Sequence, residues 1–135
     1  MHPTIHHVSL GTNQFEKASA FYDSVLNTLG LKRIVEYPGG IGYGRTFPEF
    51  WLQYPIDGKL ATVGNGSHIG FFANSKRDVD AFYQAAIDAG ANDDGKPGTR
   101  RDYGEPYYGC FIRDLDGHKI EAVYWDLELA QQLGL

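Results

Sequence analysis

The sequence predicts an α+β protein made of two tandem βαβββ modules whose mixed sheets curl around a shared cleft. The first observation is an internal repeat: His7 and His68 are 61 positions apart, and so are Phe21 and Phe82, each within an Ala-Phe-Tyr tripeptide. The second is that each histidine lies in an alternating run, IHHVSL or SHIGFF, which is typical of a half-buried strand. A helical pattern containing the tripeptide follows each run, so we expect a duplicated module.

The first module is predicted to span about residues 5–62. Its helix is expected over 13–29, because Asn13 and Glu16 have capping-box spacing and Gly30 suits a left-handed stop. The predicted apolar face of this helix consists of Phe15, Ala18, Tyr22, Val25, Leu26 and Leu29. Three strands are then expected at about 31–37, 41–45 and 49–54.

The second module is predicted to span about residues 67–125, after a glycine-rich link at 63–66. Ser75 and Asp78 are expected to open its helix, and Gly90 to end it. Strands follow at about 91–94, 107–113 and 119–125, with a longer loop at 95–106. The tail, 126–135, is predicted to form one short helix. Residues 1–135 therefore make a single domain, a size within the usual range.

Composition excludes several classes of partner. The chain has 135 residues, with 12 Lys and Arg against 17 Asp and Glu, giving a formal net charge of −5. A net negative chain without a basic cluster is poorly suited to nucleic acid, and its apolar runs are far shorter than the ~18 residues of a membrane span. No secretory signal is visible at the start, and a single cysteine, Cys110, fits a reducing cytosol. We expect a cytoplasmic protein that binds neither nucleic acid nor membrane.

Three side chains suited to metal binding are predicted to point away from the helices. If Val8 faces its helix, strand alternation turns His7 to the opposite face, and by the repeat it does the same for His68. On the last strand, Glu121 alternates with the apolar Ile120 and is expected on that face too. A lone strand histidine is commonly a packing residue, so the hypothesis depends on the repeated pair. Two imidazoles and a carboxylate suit Fe, Mn, Ni or Zn and leave coordination positions open.

The remaining histidines and the cysteine are expected to be structural or solvent-facing. His6 alternates with His7 and is predicted to face the helix side. His118 is expected to be an exposed turn residue. Cys110 is predicted to be a small buried residue, since nothing around it in the sequence favours a reactive thiolate.

These motifs resemble the vicinal oxygen chelate superfamily, which includes glyoxalase I, extradiol dioxygenases and bleomycin resistance proteins. The resemblance rests on HVSL after the first Ile-His, AFY in the helix, HIGF opening the second half and FIRDLDGHKIEAV near the end, and it covers about residues 5–125. It implies a glyoxalase-like fold with metal ligands at His7, His68 and Glu121. It also implies a small-molecule substrate or ligand and a homodimer, with the site formed within one chain or across two.

One departure from the glyoxalase pattern falls at a ligand position. Aligning FWLQ of the first module with IEAV of the second places Trp51 at the fourth ligand position, and an indole cannot ligate a metal. Gln53 shares the face of Trp51 and would replace it only after a register shift of two residues. The departure leaves two histidines and one carboxylate, a set typical of dioxygenase-type iron sites. It equally allows a metal-free pocket in which Trp51 stacks on a flat ligand.

Other polar and aromatic residues are candidates for contact with a substrate. Arg45, Tyr103 and Tyr108 join Trp51 as predicted substrate-binding residues, because arginine pairs with anionic oxygens and tyrosine offers a hydroxyl on a rigid ring. Tyr43 and Gln53 are the candidates for a general base, although no pattern assigns that role firmly to either. The alternative is that these arginines are solvated surface charges and that the tyrosines pack within the sheets.

Two function classes follow from the sequence. The first is an enzyme with one divalent ion that chelates neighbouring oxygens of a small substrate, in lyase, isomerase or dioxygenase chemistry. The second is a metal-free protein that binds a small molecule or antibiotic, as bleomycin resistance proteins do. The two hypotheses differ in their dependence on metal.

Overall fold

The computed structural model describes residues 4–100 and 104–135, and it confirms the βαβββ order twice over. The first module comprises β1 (Val8–Gly11), α1 (Phe15–Asn27), β2 (Lys32–Tyr37), β3 (Gly40–Gly44) and β4 (Phe50–Gln53). The second comprises β5 (His68–Phe72), α2 (Lys76–Asp88), β6 (Asn92–Gly98), β7 (Tyr107–Arg113) and β8 (Lys119–Trp125). The predicted tail helix is α3 (Leu127–Gln132). As expected, Gly30 and Gly90 follow their helices with positive φ, a conformation that glycine adopts readily.

Each module forms one mixed four-stranded sheet, in the order β1-β4-β3-β2 for the first and β5-β8-β7-β6 for the second. The first strand of each module runs parallel to the last strand, and the remaining pairs are antiparallel. A parallel pair needs a long crossover connection, which each helix and the following strands supply. The predicted fold class is therefore confirmed.

One hydrophobic core joins the two modules. The helix-facing sides of both sheets and the inner faces of α1 and α2 contribute to it, and the ring centroids of Phe50 and Phe71, one from each module, lie 5.2 Å apart. Its largest fully buried apolar and aromatic side chains include Tyr22, Val25, Leu26, Ile41, Tyr43, Phe50, Leu52, Val79, Phe82, Ile112 and Ile120. The opposite sheet faces carry both polar side chains, such as Glu121, and aromatic ones, such as Trp51 and Phe111.

The turn between β7 and β8 docks on the first module. His118 is buried there, and its Nε2 donates to the carbonyl of Gly11 over 2.7 Å. The prediction of an exposed His118 was therefore wrong, because the turn is covered by the end of β1. Asp116 accepts from the hydroxyl of Thr12 and from the backbone N–H of Asn13, which places a carboxylate at the start of α1.

Three local predictions differ from the structure. The capping box at Asn13 is not formed: α1 begins after Gln14, and the Asn13 side chain instead bonds the backbone of Ala61. In the second module Ser75 does cap α2 by accepting from the N–H of Asp78. Strand β1 begins three residues later than expected, and β6 extends to 98, which shortens the predicted loop.

The helices are short. Within the described ranges the longest have 13 residues, and none has the length and apolarity needed to cross a membrane.

Candidate functional site

A histidine and a carboxylate meet on the open face of the second sheet. Strands β5 and β8 are parallel neighbours in a register that places Gly70 opposite Glu121, with His68 two pairs away and therefore on the same face. Nε2 of His68 lies 3.3 Å from Oε1 of Glu121. The His68 side chain is 46% exposed, whereas that of Glu121 is 12% exposed. The pair therefore presents an accessible imidazole backed by a largely buried carboxylate.

Tyr107 holds the second oxygen of this carboxylate. Its hydroxyl donates a 2.5 Å hydrogen bond to Oε2 of Glu121 from the antiparallel neighbour strand β7. Burial, the hydrogen bond to Glu121 and the charge of Glu121 all raise the pKa of Tyr107 well above its usual value, in that order of size. Tyr107 thus stays a protonated donor at neutral pH, and both oxygens of Glu121 have a neighbour that fixes their position.

Two glycines leave the room that this arrangement needs. A Cβ at Gly109 would lie 2.3 Å from the Tyr107 hydroxyl oxygen and 2.9 Å from the carbonyl oxygen of Ala122. A Cβ at Gly70 would lie 3.0 Å from Oε1 of Glu121. Because real contacts of this kind are longer, a side chain at either position would displace Tyr107 or Glu121.

Positive charges surround an aromatic ring beside the pair. Phe111 stands opposite Glu121 in β7, and its ring centroid lies 5.8 Å from that of His68. The ammonium of Lys119 lies 4.8 Å from the Phe111 centroid and the guanidinium carbon of Arg100 lies 5.4 Å from it, both within cation–π range. This side of the site favours anionic oxygens on a ligand.

His7 does not join the pair to complete a three-ligand set. It precedes β1, so strand alternation does not fix its direction, and its Nδ1 lies 2.7 Å from that of His6. His6 is exposed and packs on Phe47, rather than facing the helix as predicted. His7 and His68 do line one cavity of about 390 Å³.

The structure tests whether these residues fit a metal ion. Across residues 4–100 and 104–135, no three His, Cys, Asp or Glu side chains are grouped closely enough to hold one. His68 and Glu121 supply two donors, and one oxygen of Glu121 is already bound by Tyr107. In this chain the described residues therefore do not fit the three-ligand centre that the resemblance implies.

Trp51 occupies the predicted position. It pairs with Ser9 in the first sheet as Glu121 pairs with Gly70 in the second, so the two are equivalent by register. Its indole covers Gly42, where a Cβ would lie 2.9 Å from the ring, and its ring centroid is 5.9 Å from that of Tyr37. Gln53 lies two residues further along and lines a shallow cavity of about 340 Å³ with Ser9.

Tyr43 cannot act as a general base in a cleft on the open face. It is fully buried on the helix-facing side of β3, where its hydroxyl donates to the carbonyl of Ser19 and the carboxylate of Asp23. Burial and the hydrogen bond to Asp23 raise its pKa well above the usual value. The prediction of Tyr43 as a base was wrong because Ile41 and Tyr43 form the helix-facing side of β3 and pack in the core.

Two of the predicted substrate-binding residues have structural partners. Arg45 donates to the carbonyl of Leu29, just beyond the end of α1, and to that of Phe72, so it ties the modules together. The Tyr108 hydroxyl donates to Asp80 of α2 over 2.7 Å, and this bond, with burial, raises the pKa of Tyr108 to about 12. Neither is placed at the His68–Glu121 pair. Tyr103 lies outside the described residues.

Tyr107, and not the predicted Tyr108, is the tyrosine of β7 that contacts Glu121. Alternation along β7 already indicates this, because Cys110 and Ile112 face the helices and core, which places Tyr107 and Phe111 on the other face with Glu121. Tyr108 lies on the helix-facing side of β7, so its prediction as a substrate-binding residue assigned it to the wrong face.

Comparisons with known proteins agree with this architecture. The model of the Glyoxalase/Bleomycin resistance protein/Dioxygenase superfamily matches residues 4–122. The chain belongs to this superfamily. A glyoxalase/bleomycin resistance protein from Albidiferax ferrireducens T118 is 37% identical, with a TM-score of 0.82 over 92% of this chain and 100% of that one. No curated protein sequence matches the chain.

More distant superfamily structures share the fold. Lactoylglutathione lyase from Agrobacterium tumefaciens is 20% identical, with a TM-score of 0.62 over 91% of this chain and 95% of that one. A glyoxalase/bleomycin resistance protein/dioxygenase family enzyme from Burkholderia phytofirmans PsJN is 17% identical, with a TM-score of 0.69 over 92% and 100%. Both structures share the fold of this chain, while residue roles in this chain depend on its own site.

Proposed function

We propose that this chain is an enzyme that binds a small molecule through two neighbouring oxygens and moves a proton on it, at His68 and Glu121. The observation that carries the proposal is the 3.3 Å contact between these side chains, with the carboxylate fixed by Tyr107. An accessible imidazole next to a positioned carboxylate is a common arrangement for general acid–base chemistry. Membership of a superfamily that includes enzymes supports this proposal.

The proposed steps use this chain's own side chains. His68 accepts a proton from a carbon beside a carbonyl, and Glu121 stabilises the imidazolium that forms. Tyr107 keeps the carboxylate in place through its hydrogen bond. The field of Lys119 and Arg100 stabilises negative charge on the enolate oxygen. Return of the proton to the same carbon or its neighbour completes an exchange or an isomerisation, so no co-reactant is consumed.

A divalent ion of Fe, Mn, Ni or Zn at this site stays a prediction. Because His68 and Glu121 are only two donors, the steps above are assigned without an ion. A homodimer likewise stays a prediction, and sedimentation analysis of the untagged protein tests it.

A second candidate function is the binding of an aromatic molecule without chemistry. Trp51 favours it, because the indole lies over Gly42 beside Tyr37 and only part of it is buried. In that case ligand binding would perturb Trp51, and the His68–Glu121 pair would have no effect on proton exchange.

Proton exchange in D₂O distinguishes the two. The probes are pyruvate, hydroxyacetone and methylglyoxal, each with a carbonyl next to a second oxygen-bearing carbon, and NMR follows loss of the C–H signals. We expect exchange above the buffer rate, falling by about 10²-fold or more in His68→Ala and Glu121→Gln. Glu36→Gln is the matched control, since Glu36 lies in an exposed pair with Arg33.

The same assay tests the role of metal. Exchange is measured after treatment with a chelator, and again after addition of Mn²⁺, Ni²⁺ or Zn²⁺. Exchange that is absent with all three probes under every condition, or that is unchanged in both site variants, overturns the proposed function.

A further inference from the structure

An apolar surface continues directly from the His68–Glu121 pair on the open face of the second sheet. We call it the apolar shelf, and it consists of Phe72, Val123, Trp125 and Leu127. These side chains, with Ala73, Asn74 and Tyr124, line a cavity of about 640 Å³. Phe72 is 73% exposed, Leu127 69% and Trp125 37%. So much exposed apolar surface beside a polar pair marks a binding surface.

Strand geometry sets the spacing between the polar pair and the shelf. Glu121, Val123 and Trp125 alternate along β8 and share one face, with neighbours about 7 Å apart. Phe72 pairs with Val123 on one side, and Gly109, which lies beneath the Tyr107 hydroxyl, pairs with it on the other. The face therefore changes from charged at Glu121 to apolar at Val123 over about 7 Å. A small molecule with a polar end and a ring can span that distance.

We propose that the apolar shelf is the subsite for an aromatic ring of the substrate, whose neighbouring oxygens face His68 and the positive charges of Lys119 and Arg100. This inference rests on the proposed function and adds the class of substrate: a small amphipathic molecule such as an aromatic 2-oxo acid. The anionic oxygens meet Lys119 and Arg100, and the ring meets Phe72 and Trp125.

Size favours a small molecule over a second copy of the chain. The cavity volume falls within the roughly 300–1,000 Å³ of ligand pockets. A stable protein interface needs about 20–30 residues on each side, whereas four side chains make up the shelf. Continuity with the polar pair also places the ring of a bound substrate on the shelf.

The experiment compares pyruvate with phenylpyruvate, which differ by one phenyl group, by titration calorimetry. We expect phenylpyruvate to bind at least about tenfold more tightly, a difference of about 1.4 kcal/mol. Phe72→Ala and Leu127→Ser should remove most of that gain and leave pyruvate affinity unchanged, because both side chains are exposed and their loss spares the core. Leu60→Ser is the matched control, since Leu60 is 82% exposed on the loop after β4.

NMR of the two indole N–H groups locates the ring. Trp51→Phe leaves Trp125 as the remaining tryptophan and assigns its signal. Phenylpyruvate should shift the Trp125 signal, and pyruvate should not.

Four outcomes would overturn the subsite. Equal affinity of the two acids, both weakened by Glu121→Gln, removes the subsite and leaves the proposed function standing. A shift of the Trp51 indole signal instead of the Trp125 signal would place the phenyl ring of the ligand on the first sheet. A dimer that dissociates in Phe72→Ala and Leu127→Ser, without phenylpyruvate binding, makes the shelf an interface between copies. Failure of both acids to bind removes the subsite, and it removes the proposed function as well only if proton exchange is absent with all three probes.

Discussion

The hydroxyl of Tyr22 in α1 donates a 2.5 Å hydrogen bond to Oδ2 of Asp114, 92 residues further along the chain. Oδ1 of the same carboxylate accepts from the backbone N–H groups of Asp116 and His118. Both Tyr22 and Asp114 are buried, so this bond joins the first helix to the β7–β8 turn in the core between the modules.

Removing the hydroxyl should weaken the whole domain. In Tyr22→Phe the Asp114 carboxylate stays buried with one oxygen lacking its donor, so we expect the free energy of unfolding to fall by about 1–3 kcal/mol. Urea unfolding at pH 7 measures this, with Tyr54→Phe as the control because Tyr54 is exposed. Equal stability of the two variants would contradict a role for this bond.

Stability should also depend on pH through Asp114. Burial raises the pKa of its carboxyl group above the usual value, although the hydrogen bond from Tyr22 partly opposes this. The folded state then holds the proton more tightly, so this contribution to stability is complete below the unfolded pKa of about 3.9 and is lost as pH rises through the raised value.

Asp114→Asn isolates that effect. Its Oδ1 can still accept from the two backbone N–H groups, and its amide can donate to the Tyr22 hydroxyl oxygen. We expect the wild type to lose stability relative to this variant as pH is raised from 4 to 7 in urea unfolding. A difference that is constant with pH would show that the Asp114 carboxyl does not titrate in this way.

His7 and His68 should have unequal effects on activity. They are equivalent in the repeat, but only His68 lies beside Glu121. In the proton-exchange assay we expect His68→Ala to lose about 10²-fold or more and His7→Ala to stay within a few-fold of wild type. Equal losses in the two variants, with bound metal lost in both, would indicate that the three-ligand set assembles in solution.

Tyr107 should affect turnover more than substrate affinity. It is buried and acts through Glu121 as a positioning residue, so Tyr107→Phe should lower kcat about ten- to a hundredfold and change KM little. Tyr108→Phe is the matched control, because its hydroxyl bonds Asp80 of α2 instead. A change confined to KM would instead place Tyr107 in contact with the substrate.

The repeat predicted what depends on local pattern. The order of the elements, the face of Glu121 and the equivalence of Trp51 with Glu121 all follow from strand and helix periods, and the structure confirms them. The direction of the His7 side chain could not be predicted in this way, because β1 begins at Val8 and the alternation of side chains applies only within a strand.

Long-range contacts were beyond the sequence. Asn13 has the right spacing for a cap, yet Asp116 from the other module supplies the carboxylate at the start of α1. The hydrogen bond from Tyr107 to Glu121 depends on the register between β7 and β8, which a single strand pattern does not contain. The side of β3 on which Tyr43 lies could, by contrast, have been predicted. Glycines alternate with Ile41 and Tyr43 in this strand, so these two side chains are the ones available to fill the core.

Gly109 should be essential for the position of Tyr107. In Gly109→Ala the new methyl group would clash with both the Tyr107 hydroxyl and the carbonyl oxygen of Ala122. The Tyr107 ring would therefore be displaced, and the backbone of β7 and β8 would have to shift. We expect a loss of about 1–3 kcal/mol in stability and a fall in kcat as large as that of Tyr107→Phe.

Gly98→Ala is the matched control, because it lies in the neighbouring strand β6 and its added methyl group would be 3.8 Å from the nearest atom, in Arg100. Urea unfolding and proton exchange are measured on both variants. If Gly109→Ala kept full kcat while Tyr107→Phe lost it, the ring could move without releasing Glu121, and the hydrogen bond would not be what positions the carboxylate. A parallel loss in the two variants, absent in Gly98→Ala, would assign the effect to displacement of Tyr107, because only Gly109 lies beneath its hydroxyl.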